Sequence, residues 1–484
     1  MKIQQIVATL VLAWITTTSL AWADNSWKLD ETLETWLQEE IEDQRDQSSR
    51  AATKKVIVYF KAAPFQDRSG PSVSEAVEAE EMYVEARLMR TWIQIVKSSR
   101  PSDFLWSANA IVAKVNRADL SRLKNDSAVL KVIEDQVVTL DQPQAEAKTV
   151  QVDESAHTYG LQVVNAPEVW AKGITGQGVR VGILDSGIDF SHPNLKDLVI
   201  AHRDFTADGF TDDRNGHGTH VAGTIAGNSE GGTAIGVAPN SKLIIAKIFD
   251  DKGSTNLSTI LSAMQWMLKA HAPDQPDQLA QVVNNSWGTN IPFILAFADS
   301  VRSWRRFGIF PSFAAGNSGP RPVSVGAPGS YSFSFAIGAV DENSAITSFS
   351  SRGPSIWLPR WDAEKPRWFQ GWWPKLLIKP EVSAPGHNVL SSVPGGELKR
   401  FSGTSMATPH VTGVIALLLE ANPYLSVEEI EQILTHTAIS QGPEENNNVY
   451  GHGVVRADVA VDQALSIPGA LREGFVDRDP NQWQ

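Results

Sequence analysis

The chain has 484 residues, which at the usual domain size allows about three domains. A hydrophobic content of 42% is enough for a sizeable core, and a formal charge of −13 with no offsetting basic cluster argues against a nucleic-acid partner. There are no cysteines, which excludes disulfides, thiolate metal sites and a cysteine nucleophile but leaves the compartment open.

The N-terminus reads as an export signal. Lys2 supplies a positive charge, residues 6–20 are largely apolar, and Ala21-Trp22-Ala23 has the small-x-small pattern of a cleavage site. About 15 apolar residues are short for a membrane span. No later stretch is long and apolar enough to cross a bilayer. Removal of residues 1–23 and a secreted or periplasmic product are expected.

Residues 24–50 are acidic and helix-like. Next come a strand pattern at 54–60, helix formers at 75–96, a strand at 108–115, a short helix at 119–125 and a strand at 129–133. That order predicts a small open α+β module over about residues 54–140, with helices on one sheet face. The polar run 141–156 reads as a linker.

The texture changes near residue 159. Short apolar runs at 179–184, 243–248, 282–284, 309–314 and 335–340 read as buried strands, and 256–270 reads as one of the intervening helices. Such alternation predicts a doubly wound, mostly parallel α/β sheet, whose sites lie at the C-terminal ends of strands. Helix-like stretches at 426–434 and 457–465 complete a large domain over 151–466, leaving a polar tail at 467–484.

Four places carry chemistry. Ser405 stands in Phe401-Ser-Gly-Thr-Ser-Met-Ala-Thr-Pro-His410, ahead of a run to Leu419 that reads as a buried helix, with Pro409 tolerated in a first turn. At a helix N-terminus the backbone N–H groups are unpaired, so Ser405 is either an N-cap or a nucleophile beside an oxyanion site. Asp185 directly follows the first buried strand, in Leu184-Asp-Ser-Gly-Ile-Asp189; it is a turn former or a functional carboxylate, with Asp189 as competitor. His217 lies in Asn215-Gly-His-Gly-Thr-His-Val-Ala-Gly223. His217 and His220 are three apart, but with no acidic residue between them and no third ligand motif the pattern argues against zinc hydrolysis. The glycines flanking His217 allow close approach of a substrate backbone or another helix. Asn317, in Phe313-Ala-Ala-Gly-Asn-Ser-Gly319, is a turn asparagine or an amide donor to an oxyanion. Together they supply a nucleophile, a base, a carboxylate to orient the base and an oxyanion donor, in the chain order Asp, His, Ser.

These four motifs together resemble the subtilisin-like serine proteases over roughly residues 159–465. Val283-Asn-Asn-Ser-Trp-Gly288 and Phe349-Ser-Ser-Arg-Gly-Pro354 look most like bacillopeptidase F-type members. The resemblance implies that Ser405 attacks the scissile carbonyl, His217 moves the proton, Asp185 orients His217, and Asn317 with the Ser405 N–H holds the oxyanion. It implies that Ser286, Trp287 and Gly288 form the edge that pairs with substrate backbone. It places Gly326 at the floor of the first specificity pocket, where room for a medium or large apolar residue is expected. It makes residues 24–150 a propeptide, with the module at 54–140 as folding aid and intramolecular inhibitor and with self-cleavage near Leu140. No cofactor is needed for the chemistry and no metal is assigned. Structural calcium is the one ion the resemblance allows, near Asn194 and the loop 228–234, where Glu230 stands. Protein or peptide substrates and a monomer are expected. The tryptophan-rich insertion 355–379, with Trp357, Trp361, Trp368, Trp372 and Trp373, reads either as a self-packed loop or as an exposed aromatic surface. Two other readings remain: a protease-like binding protein without catalysis, and an α/β-hydrolase esterase. The esterase reading is opposed by the chain order and by the absent Gly-x-Ser-x-Gly elbow at Ser405.

Overall fold

The computed structural model describes residues 29–42, 52–61, 73–141, 144–145, 157–229, 233–269, 279–357, 375–442 and 447–468. The export signal, most of the linker before residue 157 and the tail beyond 468 lie outside the described residues. The chain divides into two compact units, residues 1–67 with 80–136 and residues 68–79 with 137–484.

The first part of the chain forms α1 (Glu31–Glu42), β1 (Thr53–Phe60), α2 (Val73–Ile95), β2 (Pro101–Leu105), β3 (Ala110–Asn116), α3 (Arg117–Asn125) and β4 (Val129–Glu134). Its sheet runs β2-β3-β1-β4 and is antiparallel throughout. Val56 to Phe60 are all buried, as the central place of β1 demands. Asn116 caps α3 by accepting from the Asp119 N–H at 2.9 Å, which fixes its start two residues before the predicted one. Strand β2 is absent from the sequence reading. Its Pro101 and Asp103 are tolerated because it is the edge of the sheet.

The second unit continues with β5 (Val137–Thr139), β6 (Gln144–Ala145), α4 (Tyr159–Val164), α5 (Ala166–Trp170), β7 (Arg180–Asp185), β8 (Val199–Asp204), α6 (His217–Ala226), β9 (Lys242–Lys247), β10 (Ser254–Asn256) and α7 (Leu257–Trp266). It then forms β11 (Val282–Asn285), α8 (Ala298–Arg306), β12 (Phe310–Ala314), β13 (Phe335–Val340), β14 (Ser355–Trp357), β15 (Lys375–Leu377), β16 (Val382–Pro385), β17 (Val389–Val393), β18 (Glu397–Ser402), α9 (Thr404–Ala421), α10 (Val427–Thr437) and α11 (Ala457–Ser466). Seven strands make one parallel sheet in the order β16-β13-β12-β11-β7-β9-β8. The five predicted buried strands are its interior. The two that sequence did not reveal, β8 and β16, are its edges, where exposure or short length erases the apolar run. Strand β7 comes first in the chain yet lies between β9 and β11, so the strand order reverses beside it. Such a reversal opens a crevice at the carboxyl ends of the strands.

Helix α9 packs against α6 and against β11, β12, β13 and β16. Residues 404–419 are all buried, the mark of a helix apolar on every side. Pro409 lies inside α9 rather than in its first turn. Having no N–H, it leaves the carbonyl four residues back, that of Ser405, without its helical partner. The Ser286 hydroxyl, at the end of β11, donates to that oxygen at 2.8 Å. The helix interruption is thereby turned into a tie between α9 and the sheet.

Of the tryptophan-rich insertion, Trp357 is buried against Tyr331 and Phe333, with ring centroids 5.9 and 5.4 Å away. Its strand β14 pairs with β15. That supports self-packing for this one residue; Trp361, Trp368, Trp372 and Trp373 lie outside the described residues.

Candidate active site

The predicted residues lie on four elements of the second unit, and the contacts join them as two pairs, Asp185 with His217 and Asn317 with the start of the helix that carries Ser405. Asp185 ends β7, His217 opens α6, Asn317 follows β12, and Ser405 is in the first turn of α9. Asp185 and His217 are both buried, and His217 Nδ1 lies 2.7 Å from Asp185 Oδ1. A carboxylate only accepts, so Nδ1 carries the proton and Nε2 is left as an acceptor. His217 Nε2 is buried and makes no hydrogen bond among the described residues. Burial opposes the imidazolium, but the charge and hydrogen bond of Asp185, with the charges of Asp213 and Asp141, outweigh it and hold the His217 pKa above its usual value.

Glycines permit this contact. A Cβ on Gly218 would overlap the Gly187 carbonyl oxygen, and Gly187 itself has φ of 112° beneath the Thr211 carbonyl. What comes close to Gly218 is the turn after Asp185, where a substrate backbone or another helix was expected. Asp189 is displaced to the surface side of that turn. It accepts from Ser191 and from the Gly395 N–H, and it makes no bond to His217.

Asp213 is the main residue that sequence reasoning missed. Its carboxylate accepts from the Ser186 hydroxyl (2.9 Å), the Gly216 N–H (2.8 Å), and the Thr219 N–H (2.8 Å) and hydroxyl (2.6 Å). It thus fixes the loop before His217 to the turn after Asp185. Buried Lys247 donates to the Ser186 carbonyl at 2.9 Å and holds the same turn from the other side. The signal was an aspartate four residues before His217; Ser186, the partner that joins the two turns, is 27 residues away in sequence, which local reading cannot join.

His220 does not pair with His217 on a metal. Its Nε2–H donates to the Val389 carbonyl at 2.9 Å, and its ring stacks on Phe401 with centroids 4.4 Å apart. Burial pushes its pKa down to about 3, so it is neutral. No group of three or more His, Cys, Asp or Glu able to hold a metal occurs among the described residues. The Asn194 amide is tied to the Asn228 carbonyl, and Glu230 lies outside the described residues.

Ser405 is not an N-cap. Gly403 holds the cap position, with an extended backbone. Asn317 Oδ1 accepts from the Thr404 N–H at 2.9 Å and the Thr404 hydroxyl at 3.0 Å, which turns its Nδ2 away from that helix end. A Cβ built on Gly403 would lie 3.7 Å from both Asn317 Nδ2 and the Ser405 nitrogen. The Asn317 amide and the Ser405 nitrogen thus lie close to one place beside Gly403, at distances that are ordinary contacts. The Ser405 hydroxyl donates to the Ser286 carbonyl at 2.9 Å in this structure.

Trp287 is buried against Phe297 and Phe313, so at the edge 286–288 it is the backbone, not the indole, that is free to pair. Gly326 is packed against the Thr289 backbone, where a Cβ would overlap the carbonyl oxygen. Close approach of two backbones is one reason for glycine there.

Residues 176–453 match the model of the subtilase family, more than half of the chain. The alkaline protease of Alkalihalobacillus alcalophilus is 34% identical over 71% of this chain and 76% of its own length. Subtilisin E of Bacillus subtilis is 32% identical over 73% of this chain and 80% of its own length. Bacillopeptidase F of Bacillus subtilis is 39% identical over 63% of this chain, and the match spans only 22% of that longer protein. The chain belongs to the subtilase family of serine endopeptidases, and its seven-stranded parallel sheet is that family's α/β fold. As in the family at large, the chemistry calls for no cofactor.

Proposed function

We propose that this protein hydrolyses peptide bonds in proteins through Asp185, His217 and Ser405, and that it is made as a self-inhibited precursor for export. One observation carries the catalytic part: His217 is held by Asp185 in the tautomer whose buried Nε2 is an unpaired acceptor. An unpaired buried nitrogen costs free energy, and a base awaiting a proton is the role that accounts for it.

In this mechanism the Ser405 hydroxyl leaves the Ser286 carbonyl and gives its proton to His217 Nε2 as Oγ bonds to the scissile carbon. The oxyanion is met by Asn317 Nδ2 and the Ser405 N–H. The C–N bond then breaks and His217 passes the proton to the departing nitrogen. Water, activated in turn by His217, frees the acyl group from Ser405 and restores the enzyme. Asp185 stabilises the imidazolium at each stage. Backbone at Ser286 and Gly288 pairs with the substrate strand.

Export rests on the N-terminal pattern Lys2 to Ala23, and the product is secreted or periplasmic; no helix among the described residues is long and apolar enough to cross a membrane. The working form is a monomer. The first test is labelling by a serine-directed organophosphorus inhibitor, with wild type beside Ser405→Ala. Stoichiometric labelling of Ser405 and its loss in the variant are expected; an unlabelled wild type with no peptide hydrolysis would return the chain to the non-catalytic binding reading.

A further inference from the structure

We infer that Thr412, Asn284 and Ser286 are positioning residues for the nucleophile: three buried hydrogen bonds, running from the middle of α9 through β11 and back to the first turn of α9, hold the Ser405 main chain in place across the proline of that helix. This rests on the endopeptidase reading above and adds to it the groups that aim Ser405.

The Ser405 carbonyl has no helical N–H to accept from, because the residue four places on is Pro409. A buried carbonyl without a donor costs free energy, and its peptide has lost the bond that keeps it aligned with the helix axis. The missing donor is supplied through a chain of side chains. Thr412 Oγ1 lies 3.0 Å from Asn284 Oδ1, Asn284 Nδ2 lies 2.9 Å from Ser286 Oγ, and Ser286 Oγ lies 2.8 Å from the Ser405 carbonyl oxygen. Thr412, Asn284 and Ser286 are all buried, so these groups answer to one another rather than to solvent.

The direction of each bond follows from counting protons. Asn284 Oδ1 only accepts, so the Thr412 hydroxyl donates to it. Asn284 Nδ2 only donates, so Ser286 Oγ accepts from it and has its single proton left for Ser405. Thr412 has a second acceptor within reach, the Thr408 carbonyl at 3.1 Å. Were its proton given there, the Asn284 amide could turn over, and Oδ1 would then compete with Ser405 for the Ser286 proton. Only the first arrangement secures a donor for the oxygen that Pro409 leaves without one, and that requirement fixes the amide's orientation. Thr412 thus sets the amide, and the amide sets the Ser286 hydroxyl.

The relay refers Ser405 to the sheet that carries the other catalytic groups. Strand β11 lies between β7 and β12. Asn284 stands opposite Ile183, two residues before Asp185 on β7, and opposite Ser312 on β12. The preceding residue of the turn, Thr404, is held by Asn317, which follows β12. Successive residues of one turn are therefore fixed from neighbouring strands, Thr404 by its N–H and Ser405 by its carbonyl. Oγ and the N–H of Ser405 hang from the same Cα as that carbonyl, so a rotation of its peptide displaces nucleophile and oxyanion donor together. Misplacing a reacting group by about 1 Å costs on the order of 100-fold in rate. Being buried, the three side chains act through Ser405 and not on substrate.

The test measures kcat, KM and the rate of labelling by the serine-directed organophosphorus inhibitor in Ser286→Ala, Thr412→Val and Thr412→Ser, with kcat expressed per labelled site so that misfolded chains are not counted. Ser286→Ala keeps the backbone at that position. It is expected to lower kcat by about 10- to 100-fold with KM unchanged, and to slow labelling by a similar factor, since the inhibitor needs Ser405 in place but no substrate strand. Thr412→Val keeps the shape and removes the hydroxyl. It should lower kcat and labelling by about two- to tenfold, the worth of one neutral hydrogen bond, and Thr412→Ser should restore both. Wild-type kcat and labelling in Ser286→Ala, or a change in KM alone, overturn the inference and leave the protease reading intact. Thr412→Ser as slow as Thr412→Val would make the effect one of packing and overturns the relay at its first member. If Ser286→Ala does not fold, the two Thr412 variants decide on the same terms. A wild type that neither labels nor hydrolyses peptide overturns the endopeptidase reading and this inference with it.

Discussion

Helices α9 and α10 follow one another in the chain, yet their first turns are satisfied from opposite directions. In α10 the cap is local: the Ser426 hydroxyl accepts from the Glu429 N–H at 3.2 Å and the Glu429 carboxylate accepts from the Ser426 N–H at 2.8 Å. In α9 the cap position is Gly403, which has no side chain, and the Thr404 N–H is taken by Asn317 from 87 residues away. A cap drawn from the helix's own sequence satisfies the first turn and closes it. A cap reaching in from another element can satisfy one N–H and leave the next, that of Ser405, for an oxyanion. Helix α6 lies between the two: its cap position is again a glycine, Gly216, and the turn that carries His217 is tied down by Asp213 from three residues before it.

The largest effect that would break this comparison is at Ser405. If it is a nucleophile and not a cap, Ser405→Ala lowers kcat for peptide hydrolysis by about 10⁴-fold or more and barely moves thermal stability. A drop in Tm equal to that of a lost cap, with activity retained, would reverse the assignment. Asn317 comes next, because it serves both ends of the argument. Asn317→Ala removes donor and cap together and is expected to lower kcat by about 10²–10³-fold, with loss of about 1 kcal/mol of stability. Asn317→Asp keeps an acceptor for the Thr404 N–H but has no N–H for the oxyanion; it should lose activity without that loss of stability. Melting is best followed in the Ser405→Ala background, where self-digestion does not interfere. Equal kcat in wild type and Asn317→Ala would remove Asn317 from the oxyanion site.

The same contrast explains what could be read from sequence. The interior strands were legible because burial on both faces writes a continuous apolar run, as in Val282-Val283 or Phe335 to Val340. Asp185, His217, Asn317 and Ser405 were legible because each stands in a short motif at an element boundary. The edges β2, β8 and β16 were not, because an edge strand mixes polar with apolar residues. Asp213 and Lys247 were not, since what makes them matter is contact with Ser186 from 27 and 61 residues away. At Gly326 the sequence could not show the Thr289 backbone passing close by, which is 37 residues away in the chain.

A smaller effect sharpens the local side of the comparison. Ser426→Ala removes one half of the capping box of α10 and should cost about 1 kcal/mol, seen as a lower urea midpoint with unchanged slope. Because no N–H of that turn is lent to the active site, kcat should be unaffected. A change in kcat would mean that the two helix starts are coupled and that the division between local and borrowed caps is too sharp.

The smallest expected effect concerns the charge around His217. Its pKa is raised above the ordinary 6.5 because Asp185, Asp213 and Asp141 outweigh burial. The base works only when neutral, so kcat/KM should fall as pH drops through the raised pKa, and the midpoint of that acid limb should lie above 6.5. His220 on the same helix, pushed down to about 3, should not titrate anywhere in the range, and it serves as the internal control. Histidine titration by NMR in the full-length Ser405→Ala chain isolates the share that belongs to Asp141. Adding Asp141→Asn removes a negative charge without changing shape, so the His217 pKa should move down, and that of His220 should stay. No movement of His217 would mean that Asp141 is not held beside the imidazole in solution.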